Sequence, residues 1–291
     1  MKLSARLFIA LQHIIPQHLL SKMMWKLTRC EYKWLLKLIL PFFIRQFKVN
    51  MQEAKNSDWK SYSSFNNFFT RELKEDAREV CSDKKSIVSP VDGAISQLGE
   101  INSDLIFQAK GHAYSLTQLL GNREDLGEIF KNGEFNTIYL SPKDYHRIHM
   151  PVDGTLTEMI HVPGELFSVN PATVENVPAL FARNERVICL FDTDAGPMAM
   201  ILVGAIFVGS IETVWHGEVT PPTTKEIRNW LYDDKAKTFN KGEEMGRFNM
   251  GSTVILLYAN KKMHWDKALT AEEKVQLGNI IGTINQTSHY K

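Results

Sequence analysis

The alternation of hydrophobic and polar positions divides the chain into a helical head and a β-rich body. Within residues 22–40, basic side chains recur every three or four positions, which places them on one side of a helix with apolar residues opposite. This basic stripe consists of Lys22, Lys26, Arg29, Lys33 and Lys37. The spacing predicts one amphipathic helix over residues 22–40, which Pro41 should end or kink.

A helix of this kind has two interpretations. It can lie in a membrane interface, with its cations on lipid phosphates, or it can dock on its own domain. The apolar run 35–44 is too short to cross a bilayer, which needs about 20 apolar residues. No small-residue cleavage site follows the apolar stretch 7–11, so we expect no signal peptide.

After residue 86 the pattern changes to short β-type runs separated by Gly, Pro and Asp. The runs cover residues 87–88, 93–95, 135–140, 155–162, 187–191, 199–215 and 253–258. Helical signal remains mainly at 115–131, and 219–242 is expected to be a polar loop region. The cluster Phe65, Phe68 and Phe69 predicts a short helix packed on the core.

The predicted fold class is therefore α+β. N-terminal amphipathic helices, which we expect to associate with a membrane, precede a catalytic core that is mostly β and resembles a sandwich or a barrel. We expect two regions, a helical head at 1–48 and a catalytic domain at 49–291. The composition, 44% hydrophobic and 23% charged, excludes general disorder.

Charge is uneven although the net charge is only +1. Residues 1–48 contain nine basic side chains and one acidic one, which favours an anionic surface as the partner of the head. No nucleic-acid motif accompanies these cations, so nucleic acid is not expected as a partner. The three cysteines form no CxxC pair, which favours a reducing compartment without disulfides.

A possible charge-relay trio is the first candidate chemistry. Asp92, His149 and Ser252 occur in an order that could serve a serine nucleophile, because an imidazole can take the hydroxyl proton and a carboxylate can hold the imidazole. A serine hydrolase is one interpretation. However, Thr253 and Val254 follow the serine, so it is not in a G-x-S-x-G elbow.

A glycine directly before a serine suits a second chemistry, self-cleavage. Gly251 has no Cβ and tolerates a strained peptide, so the Ser252 oxygen can attack the preceding carbonyl and shift the acyl group from N to O. Elimination of that ester leaves dehydroalanine, which hydrolyses to a pyruvoyl group. His146 and His149 could instead be a metal pair, but no third ligand lies at a recognisable spacing, so no metal is expected. The residues alone leave these choices open.

Five longer blocks resemble the signature segments of bacterial, pyruvoyl-dependent phosphatidylserine decarboxylases, in the family's order and at similar spacing. They are residues 89–93, 139–151, 162–170, 181–186 and 246–254. Met250 stands where the family commonly has Leu, a change of similar volume. The likeness runs from the N-terminal helix to about Tyr258, and residues 261–291 match nothing specific.

The resemblance implies a proenzyme cut between Gly251 and Ser252. The products would be a large β chain, residues 1–251, and a small α chain, residues 252–291, whose first residue becomes the pyruvoyl cofactor. His149 would be the base in this cleavage and Asp92 would orient it.

The same resemblance implies the activity. The pyruvoyl ketone would form a Schiff base with the amine of phosphatidylserine and accept the charge left at Cα when CO₂ departs, as pyridoxal phosphate does elsewhere. Phosphatidylethanolamine would be the product. His146 would lie beside the cofactor and supply the proton that quenches Cα, and Tyr139 would line the pocket. The enzyme would be a homodimer of processed units, peripheral on the cytoplasmic side of the cell membrane.

The local structure of the histidine block is a further expectation. Ser141 as a cap and Pro142 at the first helical position predict a short helical turn, which would point His146 and His149 to the same side. Two other functions remain open: a serine hydrolase acting on membrane lipids, and a non-enzymatic membrane scaffold.

Overall fold

The computed structural model describes residues 3–207, 210–221, 225–232, 237–251, 253–259 and 262–285. Helices dominate its first part and are short elsewhere. They are α1 (Leu3–Ile14), α2 (Gln17–Thr28), α3 (Lys33–Phe47), a 3₁₀ turn (Trp59–Ser61), α4 (Phe65–Phe69), α5 (Leu116–Leu119), α6 (Glu124–Phe130), α7 (Pro171–Val174) and α8 (Leu180–Arg183).

The helical head differs from the single helix predicted over residues 22–40, which is wrong. Helix α2 ends at Thr28 and α3 begins at Lys33, so the basic stripe is divided between two helices. Arg29 lies at the break, and its side chain contacts the body as described below. Pro41 does not end a helix either, because α3 continues through it to Phe47.

Strands make up most of the body. The first nine are β1 (Ser86–Val88), β2 (Gly93–Glu100), β3 (Leu105–Ala109), β4 (His112–Ser115), β5 (Glu134–Tyr139), β6 (Arg147–His149), β7 (Gly154–Val162), β8 (Arg186–Thr193) and β9 (Met198–Val203). The others are β10 (Ile211–Thr213), β11 (Gly217–Glu218), β12 (Arg228–Leu231), β13 (Lys237–Phe239), β14 (Glu244–Phe248), β15 (Thr253–Tyr258), β16 (Met263–Trp265), β17 (Lys274–Val275) and β18 (Ile280–Ile284).

The largest sheet is open, so the body is not a closed barrel. Its strands run in the order β12, β7, β8, β9, β15, β5, β2, β17, and β13 pairs with β7 alongside β12. A four-stranded sheet has the order β11, β10, β14, β6, a three-stranded sheet the order β1, β18, β16, and β3 pairs with β4. The paired strands are antiparallel, and the predicted α+β class is confirmed.

Two sequence expectations need correction in this region. The expected run 199–215 is interrupted and forms β9 and β10. The segment 219–242 is not only loop, because β12 and β13 lie within it and extend the sheet along β7. The helical prediction for 115–131 is confirmed by α5 and α6.

Strand β15 lies in the middle of the large sheet and begins directly after Ser252. All six of its residues are buried, and each pairs with both β9 and β5. A continuous apolar run suits a strand that is covered on both faces. Further along, β17 pairs with β2 and β18 pairs with β1, so residues 262–285, for which the sequence predicted no role, are integrated with the body.

An aromatic cluster joins the head to the body. Leu36 and Leu40 of α3 pack with the predicted cluster Phe65, Phe68 and Phe69, which lies on α4 as expected. Met250, next to the proposed cleavage site, packs against the same cluster. Burial of these rings contributes roughly 1.5–3 kcal/mol per side chain.

Candidate active site

The candidate cleavage site lies where the chain passes from one sheet to another. Strand β14 belongs to the four-stranded sheet and β15 to the large sheet, and residues 249–252 connect them. The backbone nitrogen of Phe248, the last residue of β14, donates to the carbonyl of His146 at 3.0 Å. The connection therefore runs beside the histidine block. Ser252 itself lies outside the described residues.

His146 is the titratable side chain that faces this connection. It is fully buried, and a Cβ added to Gly251 would lie 3.1 Å from its Nε2. Its Nδ1 is 2.8 Å from the Asp144 carbonyl oxygen. A carbonyl only accepts, so Nδ1 carries the proton and Nε2 presents its lone pair. Nε2 has no hydrogen-bond partner among the described residues.

Burial keeps His146 neutral. Desolvation, followed by the charge of Arg71, lowers the pKa of His146 to about 3. The ring packs on Phe69 with a centroid distance of 4.1 Å, and Arg71 is itself buried and donates to the Lys143 carbonyl. The arrangement gives an uncharged base, held by Asp144 and Phe69, whose Nε2 lies close to Gly251 and has no partner in the described part of the chain.

His149 is held by different partners. Its Nδ1 donates to the Gly242 carbonyl at 2.8 Å, and its Nε2 lies 3.1 Å from the Tyr145 hydroxyl, which acts as the donor. Burial lowers the pKa of His149, while the hydrogen bond to Gly242, the charge of Glu244 and, least of all, the charge of Asp92 oppose this shift. His149 is therefore also a neutral base, and its acceptor nitrogen is bonded to Tyr145.

Asp92 is bound by an arginine in this structure. Arg78 donates to it through Nε at 3.0 Å and through Nη2 at 2.5 Å, and the Leu277 backbone nitrogen donates at 2.9 Å. The second carboxylate on Arg78 is Glu53. No hydrogen bond joins Asp92 to His149 among the described residues. The two therefore interact through charge rather than through a shared proton.

The predicted helical turn is limited to residues 141–144, where the Asp144 backbone nitrogen donates to the Ser141 carbonyl at 3.0 Å, and its expected continuation through the two histidines is wrong. Arg147–His149 is strand β6, which pairs with β14, and this pairing holds the backbone extended. Ser141 does not cap a helix, because its backbone nitrogen and hydroxyl both donate to the Asp144 carboxylate. Consequently the two imidazoles have separate sets of partners.

A cavity of about 600 Å³ opens next to the site. Asp92, Tyr139 and Asp144 are among its lining residues, so Tyr139 does line a pocket. The opposite wall comes from residues 271–276, which belong to the C-terminal part of the chain. The cavity reaches the histidine block through Asp144, whose carbonyl accepts from His146.

Sequence reasoning missed the residues that hold the candidates in place, namely Arg71, Arg78 and Tyr145. Tyr145 lies within the histidine block and could have been considered. Arg71 and Arg78 come from a segment that carried no signal. Among the described residues no group of three His, Cys, Asp or Glu side chains is arranged to hold a metal ion, and the three cysteines are free.

Comparison with known proteins identifies the class. A sequence model of phosphatidylserine decarboxylase matches residues 65–283, and a second, described as PSD, matches residues 7–48. The match continues past Tyr258, where the resemblance was expected to end.

Three similar proteins are each named phosphatidylserine decarboxylase proenzyme. The one from Pseudoalteromonas atlantica is 52% identical, over 96% of this chain and 98% of its own length. The one from Hahella chejuensis is 53% identical over 99% and 97%, and the one from Shewanella pealeana is 57% identical over 86% and 88%. This chain belongs to the phosphatidylserine decarboxylase family, which confirms the resemblance.

Proposed function

We propose that this protein is a self-processing, pyruvoyl-dependent phosphatidylserine decarboxylase that releases CO₂ and leaves phosphatidylethanolamine. Cleavage between Gly251 and Ser252 produces chains 1–251 and 252–291. The observation that carries the proposal is the Nε2 of buried His146, which lies beside Gly251 and has no partner among the residues that the structure describes, in a chain whose relatives are named proenzymes.

The position of β15 supports a stable processed enzyme. The small chain would begin one residue before this strand, which pairs on both sides with strands of the large chain. Pairing of β17 and β18 with β2 and β1 adds further contacts. The two chains would therefore stay together after the cut.

His146 fits the neighbourhood of a pyruvoyl group at position 252. The bound group would supply an electron sink for the carbanion that decarboxylation leaves. Among the chain's own residues, His146 offers a buried nitrogen with no other described partner, which can take a proton from water and deliver it to Cα after CO₂ has left. Phe69 and the Asp144 carbonyl hold the ring in one orientation.

His149 and Asp92 are proposed to serve the self-cleavage. The neutral imidazole of His149 is the base that takes the Ser252 proton, and Asp92 stabilises the resulting imidazolium by its charge. The Gly242 carbonyl fixes the tautomer, and Tyr145 occupies Nε2 in this structure. Tyr145 must therefore move aside or relay the proton.

The cavity is the proposed site of the lipid headgroup. It is bounded by Tyr139 and Asp144 from the large chain and by residues 271–276 from the small chain. A pocket that is closed by both products of the cut would place the headgroup against both chains. The name of the family and the names of the similar proteins give phosphatidylserine as the substrate.

The head is proposed to bind the membrane, because the polarity of α1 and α2 is inverted relative to a docking helix. Gln12 and Gln17 are buried and accept from the backbone nitrogens of Ser168 and Leu166, both at 2.7 Å. The outward side is apolar, as Ile14 illustrates with 80% exposure. An apolar surface outside and a polar one inside suits an acyl environment.

Helix α3 adds an outer stripe of large apolar side chains. Trp34, Leu38 and Phe42, four residues apart, are each 68% exposed. Exposed lysines flank them, namely Lys22, Lys26, Lys33 and Lys37, which we call the stripe lysines. These features favour peripheral binding to anionic lipid on the cytoplasmic face. No helix in the described part of the chain is long and apolar enough to cross a bilayer.

The test of the proposal combines a denaturing gel with an activity assay. The wild-type protein should appear as two fragments and release CO₂ from phosphatidylserine vesicles, and Ser252→Ala should be a single inactive band. One intact band for the active wild type would favour a lipid hydrolase that uses the same residues. The implied homodimer stays a prediction, which the mass of the processed enzyme in detergent would check.

A further inference from the structure

Arg29 differs from the stripe lysines, because its side chain contacts the body. Its Nη2 donates to Ser210 Oγ at 3.1 Å and forms an ion pair with Glu218. Trp25 completes this contact, since the guanidinium lies 4.6 Å above its ring and its Nε1 donates to Glu218 at 3.2 Å. The end of α2 is thereby anchored at one point of the four-stranded sheet.

Ser210 connects this anchor to the scissile segment. Its hydroxyl accepts from Arg29 and from the side-chain amide of Asn249, and donates to Glu218 at 2.8 Å. A hydroxyl has one donor and two acceptor positions, and these three bonds use all of them. Ser210 and Asn249 are each 1% exposed, so the network is buried where it meets the scissile segment.

Asn249 is held from two sides, two residues before Gly251. Its backbone nitrogen donates to the Ser210 carbonyl at 3.0 Å, and its Oδ1 accepts from Asn66 Nδ2 at 3.0 Å. Asn249 is thus bonded through its backbone nitrogen, its side-chain nitrogen and its side-chain oxygen, and a buried residue held at three atoms has little freedom to rearrange. The direction in which residues 250 and 251 leave β14 therefore depends on the contact made by the head.

We propose that Arg29, acting through Ser210 and Asn249, is a positioning residue for the Gly251–Ser252 bond, so that the docked head sets the rate of self-cleavage. The inference rests on the proposed cleavage at that bond. Attack of a side chain on its own preceding carbonyl depends strongly on geometry, and a displacement of about 1 Å can cost 10²-fold in rate. The head would then act on the site as well as on the membrane.

The test measures self-cleavage of full-length precursor made by cell-free translation, as the ratio of cut to uncut chain against time. Arg29→Gln should cut roughly tenfold slower, and Arg29→Lys should recover part of the rate, because it keeps the charge without the planar fork. Arg45→Gln is the matched control, since Arg45 is exposed in the last turn of α3, and it should cut at the wild-type rate.

A double-variant cycle separates positioning from loss of stability. Arg29→Gln and Asn249→Ala should not be additive if they act in series, whereas independent effects add. Ser210→Ala removes the hydroxyl that joins Arg29 to Asn249, and it should slow the cut even well below its melting temperature, where the precursor is still folded.

Two results would overturn the inference. One is cleavage of Arg29→Gln and Ser210→Ala at the wild-type rate. The other is a combined result for Arg29→Gln: its cleavage is slow, its melting temperature is lower than that of the wild type, and its loss of rate adds to the loss caused by Asn249→Ala. A wild-type precursor that stays intact, or is cut elsewhere, would instead refute the proposed function.

Discussion

A methyl group at position 251 would enter the space between the scissile segment and His146. A Cβ there would lie 3.1 Å from His146 Nε2 and 3.6 Å from the Leu140 carbonyl oxygen. The first distance is shorter than an ordinary contact, so one group must move by a few tenths of an ångström. The imidazole is held by Asp144 and Phe69, so much of the movement falls on the scissile segment.

Gly251→Ala should therefore fold normally and cut slowly. Gly251 is not among the glycines with left-handed backbone, so alanine brings no backbone strain. If 1 Å of displacement can cost 10²-fold, a few tenths of an ångström correspond to a rate loss of up to about tenfold, or ~1.4 kcal/mol in the barrier.

The assay is pulse-chase labelling of the precursor followed by a denaturing gel. Met250→Leu is the control at the neighbouring position, and it should cut at the wild-type rate because the two side chains have similar volume. The reasoning depends on the proximity of His146 to the scissile segment. If Gly251→Ala is cut as fast as the wild type, that proximity is refuted.

The remaining predictions concern the histidines, Asp92 and the head. His146→Ala should still be cut but release CO₂ roughly 10²–10⁴-fold more slowly, as measured by fragment ratio and CO₂ release; an intact chain would mean that His146 also serves cleavage. Because burial lowers the pKa of His149 from its ordinary 6.5, the base form persists on mild acidification, and the cleavage rate should fall only below that pH. Asp92→Asn should cut more slowly, and the pH at which its cleavage rate falls should be lower than in the wild type, because the carboxylate that stabilises the imidazolium is gone. An unchanged pH would show that Asp92 has no part in the mechanism. Changing the stripe lysines to Gln should weaken sedimentation with anionic vesicles by about 1 kcal/mol per residue and reduce its salt sensitivity, whereas changing the outer stripe to Ser should weaken binding to neutral vesicles as well. Unchanged binding in both sets would mean that the head only docks.

Sequence patterns were sufficient where local chemistry decides the structure. The apolar run of β15 predicts a buried strand at its observed bounds, and Phe65, Phe68 and Phe69 predict the short helix that carries them. The blocks around His146 and Gly251 were enough to identify the family.

Other features depend on contacts between distant segments, which a local pattern does not contain. The helix expected over residues 22–40 is divided between Thr28 and Lys33, and at this break Arg29 meets Glu218, which is far along the chain. The turn expected at Ser141 forms over residues 141–144 but does not continue as a helix, because pairing with β14 holds residues 147–149 extended as β6. Likewise, Arg78 beside Asp92 could not be foreseen from spacing, since the two come together only in the fold.

Mass spectrometry of the small fragment is the most direct test of the central claim. Purified wild-type protein should yield a C-terminal fragment, residues 252–291, whose first residue has lost its amine and carries a ketone that reacts with hydroxylamine. A fragment that begins with a free serine amine, or an intact chain in an active preparation, would contradict the account.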